Sequence, residues 1–450
     1  MPHIEDNSEI LILDEDTRID LHLFGLDSGE GSEANNLFSF CNCCQTEGGK
    51  KVLRRRMERP WSSAQRIRAT QKSLVAILGE REAFTKLPSS YVAKNVERYT
   101  GPGLPMVRQT RPFGFIFEAF ALWVNDDRFY NKIVIGANLT CRLILTLRQF
   151  TDQAQTGPQD SELAPLIEEM RELLERPLLS QVSESGRWFW QKLRVDQVFR
   201  FQEKLSIQRL LQLVYEVEAL VAMADVTKKH GFVLPCIESG PVQVNATGLV
   251  HPFLVNAVGN PLELNQEHRV LFLTGPNMAG KTTYLRAIAT ALYFAHLGMG
   301  VPAASFNFFP VQQLLTSISL TDNLIDGVSY FRAEALRVKA VAQAIADGYR
   351  VVAIMDEPFK GTNVKDAFDA SLAILKRFAK VEDCLFVVSS HLIELSEQLN
   401  STPNIDYQYF EAEEQTDRLR FDFRLQPGVS NQRLGMRVLR EEGVFDLLDG

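Results

Sequence analysis

One loop constrains the fold of this chain more than any other feature. Gly275-Pro276-Asn277-Met278-Ala279-Gly280-Lys281-Thr282 fits G-x-x-x-x-G-K-[ST], follows the apolar run 269–274 and is continued by a helical pattern. The glycines let the backbone curl so that its N–H groups point inward at phosphate oxygens. Lys281 supplies a point charge, the Thr282 hydroxyl can bind Mg²⁺, and the following helix turns its positive end toward the anion. A loop of this kind needs a buried strand before it and a helix after it. It therefore predicts an α/β domain.

The rest of the C-terminal half fits that expectation. Residues 351–355, Val-Val-Ala-Ile-Met, read as a second buried strand that delivers Asp356 to the metal, with Glu357 beside it to polarise a water. A third apolar run, 385–389, ends in Ser389-Ser390-His391, where the imidazole could sense the γ-phosphate by a hydrogen bond. Strands separated by helical stretches predict a mostly parallel sheet with helices on both faces. Leu419, Phe421, Phe423 and Leu425 alternate with polar residues, which predicts a half-buried antiparallel strand with 407–410 as its partner.

The N-terminal half has a different texture. From about 46 to 230 the pattern is mostly helical, and Ile207, Leu210, Val214, Val217, Val221 and Ala224 draw one apolar stripe along a long helix. A narrow stripe suits a lever or a bundle. His230-Gly231 and Pro235 end it, which places a boundary near 235. Residues 28–36 read as a polar surface loop, and no short internal repeat is present.

Charge and cysteine usage narrow the function. There are 48 Lys and Arg against 56 Asp and Glu, a net charge of -8, so any nucleic-acid contact must come from a local patch. Six cysteines in 450 residues argue against a disulfide scaffold, and Cys41, Cys43 and Cys44 lack the second pair or histidines of a zinc site. No signal peptide is visible, and the apolar run 287–304 reads as a buried helix and turn, so a cytoplasmic, membrane-free protein is expected. The basic run Lys50, Lys51, Arg54, Arg55, Arg56 and Arg59 spreads over more than one helix face. Trp188-Phe189-Trp190 and Ile116-Phe117-Glu118 are expected in the core.

Residues 274–286 resemble the phosphate loop of the MutS mismatch-repair ATPases, the Pro276-Asn277-Met278 insert being the specific part. The resemblance continues through 298–303, Asp322-Asn323-Leu324, Ser329-Tyr330-Phe331 with Glu334, Met355-Asp356-Glu357, Gly361-Thr362 and His391. Upstream, Thr46, Gly49, Lys51, Leu53 and Pro60 are similar to the start of that family's core domain, and 215–237 to the end of its lever. Arg56 replaces an expected tryptophan, Phe359-Lys360 replaces Gly-Arg, and no aromatic near 257–261 is available to clamp an adenine.

The resemblance implies a P-loop ATPase domain at 236–430, preceded by a helical core and lever domain at 10–235, with a tail at 1–9 and a helical dimerisation element at 431–450. It implies no mismatch-reading or connector domain and a clamp that is absent or reduced. It implies ATP and Mg²⁺, phosphate binding by residues 275–283 including Thr283, metal binding by Thr282 and Asp356, and catalysis by Glu357 and His391. Ser329 would complete the partner's site in a homodimer with composite ATP sites. DNA and a repair protein are the implied partners, in mismatch repair or recombination. The alternative is a dimeric ATPase switch that acts on a protein partner without reading mismatches. A transporter-type ATPase is disfavoured, since no Leu-Ser-Gly-Gly-Gln signature is present.

Overall fold

Among the described residues the C-terminal half forms ten strands: β1 (Cys236–Ile237), β2 (Val244–Leu249), β3 (Asn260–Leu264), β4 (Val270–Thr274), β5 (Ser305–Phe308), β6 (Gln313–Ser317), β7 (Val351–Asp356), β8 (Leu385–Ser389), β9 (Ile405–Glu414) and β10 (Leu419–Pro427). The computed structural model describes residues 7–25, 36–109, 111–125, 127–154, 157–182, 188–319, 330–414, 419–430, 432 and 444–449. Most of the expected loop at 28–36, the tail at 1–6, Asp322–Leu324, Ser329 and residues 433–443 of the expected dimerisation element lie outside them.

Six strands form one sheet in the order β10-β9-β4-β8-β7-β6. β4 pairs in parallel with β8 and β9, and β7 in parallel with β6 and β8. β10 runs antiparallel to β9. Every residue of β4 is buried, because the sheet is covered on both faces. On one face Val270, Phe272, Val351, Ala353 and Phe386 pack with Val341, Leu375, Phe378 and Leu395 of the helices Tyr330–Ala346, Val364–Phe378 and Glu394–Leu399. On the other lies the helix Lys281–Leu297, which is buried almost all round, as expected for a helix apolar on every side.

A second sheet, β1-β5-β2-β3, also packs against that helix and was not expected from the sequence. Its strands are two to six residues long, too short for their alternation to stand out in the sequence.

The chain divides into two compact units, which change over at Lys228–Lys229, and two N-terminal segments join the C-terminal unit. Met1–Phe40, Arg59–Ile67 and Lys229–Gly450 form one, and Cys41–Glu58 with Arg68–Lys228 form the other. The reason is hydrogen bonding at the β6 edge, which would otherwise be open to pairing with another chain. Ile12 bridges Gln313 in parallel. The buried Asp20 carboxylate accepts from the Thr316 hydroxyl at 2.6 Å and from the amides of Ile318 and Ser319 at 2.8 and 2.7 Å. Arg337 donates to Asp14 and to the Thr316 carbonyl. Trp61 joins the same unit through His296, whose Nδ1 meets the Trp61 carbonyl at 2.6 Å while Nε2 accepts from the Val311 amide. Burial lowers the His296 pKa to about 4, so the ring is neutral in this satisfied pocket.

The second unit is helical. The long helix runs Lys204–Lys229, but it carries no narrow stripe. Leu211, Leu213, Leu220, Met223 and Val226 are buried as well as the expected positions, so it is a central helix of a bundle. The helix Asp127–Gln153 is long and apolar enough to cross a bilayer, yet Ala137, Cys141, Ile144, Leu147 and Phe150 are buried within this unit. Three members of the basic run are engaged by acids: Lys50 by Glu47, Arg54 by Glu58, and Arg56 by Glu162. Cys41 and Cys44 are buried thiols. Two further expectations, both of core positions, fail. Trp188 and Trp190 are exposed, and in the helix Pro112–Asn125 both Ile116 and Phe117 face solvent.

Glu218, on the long helix, fixes the start of the helix Glu47–Glu58. Its carboxylate accepts from the amides of Gln45 and Thr46 and from the Thr46 hydroxyl. Gly49 sits directly against it, and a Cβ there would lie 2.2 Å from Glu218 Oε2. Gly49→Ala should therefore push this carboxylate off the helix start and cost about 1–3 kcal/mol. Thermal denaturation is expected to show a lower midpoint, and an unchanged midpoint would contradict the close approach.

Candidate nucleotide site

The loop after β4 turns back on itself because two positions lack side chains. Gly275 has φ +135°, and a Cβ on it would meet the Phe410 carbonyl oxygen at 2.6 Å. β9 therefore runs too close for any other residue. Gly280, with φ +105°, then opens the helix Lys281–Leu297. Ala279 is buried beneath the loop, and Met278 stands exposed at its tip.

Lys281 is 5% exposed, and its Nζ donates to the carbonyls of Gly275 at 2.8 Å and Pro276 at 3.2 Å. Burial lowers its pKa, and the carboxylates of Glu357 and Asp356 act in the opposite sense. Glu357 Oε1 is 3.9 Å away. Next along the helix, the Thr282 hydroxyl donates to Asp356 Oδ2 at 2.6 Å. A hydroxyl and a carboxylate oxygen thus face one point at the end of β7. Among the described residues no three His, Cys, Asp or Glu side chains converge to hold a metal. This donor pair suits Mg²⁺, which binds through one or two protein oxygens plus phosphate and water.

Ser389 organises both acids. Its hydroxyl donates to Asp356 Oδ1, and its Oγ and carbonyl both accept from the Glu357 amide, at 3.2 and 3.1 Å. Glu357 has φ +51°, a left-handed conformation that costs a non-glycine residue free energy and so marks a constrained position. His391 Nδ1 lies 3.6 Å from Glu357 Oε2. The contact with His391 holds the Glu357 carboxyl below its ordinary value despite burial, and the same contact raises the His391 pKa. Behind them Glu334 is buried, accepts from the Gly361 amide at 3.1 Å, and has its pKa raised by burial.

The loop, Lys281, Thr282, Asp356 and Glu357 open onto a cavity of about 610 Å³. Pro276, Asn277, Met278, Gly280, Lys281, Thr282, Thr283, Asp356 and Glu357 line one side, and residues 249–258 with Phe423 line the other. Sequence reasoning missed two of the residues that shape this site, Ser389 as an organiser and Phe423 as a wall. Phe423 was expected to continue a regular strand. Instead β10 shifts register between Phe421 and Leu425, and Phe423 takes φ +56°. Asn260 holds this bulge, donating to the Phe423 carbonyl and accepting from the Leu425 amide, both at 2.9 Å. An aromatic ring therefore faces the loop, with Cδ1 3.3 Å from the place a Cβ on Gly280 would occupy. Ser329 lies outside the described residues, and the helix Tyr330–Ala346 starts immediately after it.

The Glu357–His391 pair yields a pH prediction. The one contact lowers Glu357 and raises His391, and the charge on His391 is lost as pH rises through its raised value. An NMR titration should place His391 above an ordinary histidine, and Glu357→Gln should return it toward the ordinary value. A wild-type His391 that titrates at or below the ordinary value would exclude the pairing.

Residues 271–446 match the family model of MutS domain V, from within β4 through the acids of β7 and the end of β8 to β10 and beyond. That domain is the ATPase domain of its family. The loop, the Thr282–Asp356 pair and the Glu357–His391 pair all lie inside the matched segment, so the chain carries a domain similar to the ATPase domain of the MutS family.

Proposed function

We propose that the chain is a Mg²⁺-dependent ATPase that works as a dimer with composite sites and couples nucleotide turnover to DNA in repair or recombination. The observation that carries the reading is the convergence of Lys281, Thr282, Asp356 and Glu357 on one cavity, with His391 beside Glu357. The amides of 275–280 and Lys281 would hold the phosphates, and the ring of Phe423 offers an apolar surface to a base. Thr282 and Asp356 would hold Mg²⁺, which would neutralise phosphate charge when bound. Glu357, ionised because its pKa is lowered, would accept a proton from the attacking water, and His391 would donate a hydrogen bond to the γ-phosphate. Ser329 would reach the partner's nucleotide, and ATP would thereby draw the two ATPase domains together and move the helical units.

Glu357→Gln is expected to keep ATP binding and to lower turnover on the order of 10²-fold or more. Lys281→Ala is expected to lose the binding itself. Full turnover in the first variant would remove Glu357 from its role.

A second reading, a switch that acts on a protein partner, is favoured by the net charge of -8 and by the acids that engage Lys50, Arg54 and Arg56. Filter binding with homoduplex, mismatched and branched DNA at two salt concentrations separates the two readings. The DNA reading expects an affinity that falls steeply with salt. Absence of binding at low salt would replace it with the protein switch.

A further inference from the structure

The helix Pro112–Asn125 has its apolar stripe facing outward. Phe113, Ile116, Phe117, Phe120, Trp123 and Val124 recur at spacings of three and four and are exposed, whereas Phe115 and Ala119 are buried against the helical unit. A helix apolar on both faces is ordinarily covered on both. The patch continues onto the start of the helix Phe189–Gln197. Trp123 stacks on Phe189 with centroids 5.1 Å apart, and Trp188 and Trp190 flank that ring in the chain.

We infer that this stripe is a self-association surface that docks on the same stripe of a second copy of the chain. Area supports this. Phe113 is 91%, Phe117 75% and Trp188 63% exposed, and Phe120, Trp123 and Trp190 are 39–49% exposed. At about 200 Å² for an aromatic side chain, the six present on the order of 700 Å² to solvent. A standard protein interface needs about 800 Å² from each partner, and Ile116 and Val124 supply the remainder.

Chemistry supports a second copy over an anionic surface. The stripe carries no charge and is rich in Phe and Trp, the composition of a homodimer interface core. The one acid of the helix, Glu118, accepts from the amides of Arg108 and Gln109 and does not enter the stripe. Two nearby cations lie over rings of their own chain, Lys132 on Phe129 and Arg194 on Phe115. Arg111 and Arg128 bracket the helix and are exposed. Two copies of the helix crossing at about 50° would meet at their centres and splay at their ends, which leaves these arginines in water.

The contact is independent of the nucleotide-bridged dimer proposed above, so the two can fail separately. Sedimentation velocity on the full chain without nucleotide is expected to show a dimer at micromolar concentration. Phe117→Glu combined with Trp123→Glu is expected to raise the dissociation constant on the order of 10²-fold or more. The variant's circular dichroism and thermal midpoint control for folding, since both side chains face solvent. As a second measurement on the wild type, dilution should red-shift tryptophan emission as Trp123, Trp188 and Trp190 regain water. A wild type that stays monomeric without nucleotide, or a folded double variant that stays dimeric, overturns the inference. So does a monomeric wild type that cosediments with phosphatidylglycerol vesicles or single-stranded DNA through these residues.

Discussion

Lys281 carries a cation into a site that is almost closed to solvent, and the geometry of the loop answers that cost. A buried ammonium needs acceptors on every side that water has left. Two come from the loop itself, the carbonyls of Gly275 and Pro276, and the third direction is taken by Glu357. For those carbonyls to point back at their own helix, the backbone must pass through a left-handed conformation at Gly275. It does so hard against the Phe410 carbonyl of β9. The curl that can receive phosphate is thus fixed by one charge below it and one strand beside it. Arriving phosphate oxygens would take over the role now filled by the loop's carbonyls.

The same rule, a buried charge satisfied by backbone, sets the junctions of the helical unit. Glu218 gathers the amides that precede one helix. Asp196 is held bidentately by Arg200 and also by Tyr99, while Arg200 reaches the carbonyls of Leu104 and Pro105. Arg200 lies in the π-helical turn Val198–Gln202, where the helix register changes. Such knots contribute less to net stability than to uniqueness. Alternative helix docking would strand a carboxylate or a guanidinium in the interior, at a cost of several kcal/mol.

The legible features were those whose causes are local. A phosphate loop requires particular residues at adjacent positions, so residues 275–282 and the strand–acid run 351–357 could be read directly. Phe423 could not, because its orientation depends on Asn260, 163 residues away in sequence, which holds the bulge. The place of residues 1–40 in the C-terminal unit was hidden for the same reason, since Asp20 finds its donors near residue 318. Periodicity gave the helix around 112–125 but not which side is outside. With Phe, Ile or Trp on both faces, the pattern contains no polar stripe to mark solvent. The helix at 204–229 shows the converse, where a clear stripe concealed burial on the remaining faces.

The two acids of the site are not independent parts. Asp356 pairs with Ser389 in the β7–β8 ladder, so the strand register alone brings the serine hydroxyl to the Asp356 carboxylate. The same residue then receives the Glu357 amide twice and holds that residue in its left-handed conformation. If Asp356 turned away, Ser389 would lose its acceptor and Glu357 part of its restraint. The two carboxylates are therefore coupled through one serine. The adaptable contacts lie elsewhere, at the half-exposed His391, whose 3.6 Å approach to Glu357 is longer than a hydrogen bond and leaves room to close. Any ligand that drew His391 away from Glu357 would weaken its hold and raise the basicity of that carboxylate.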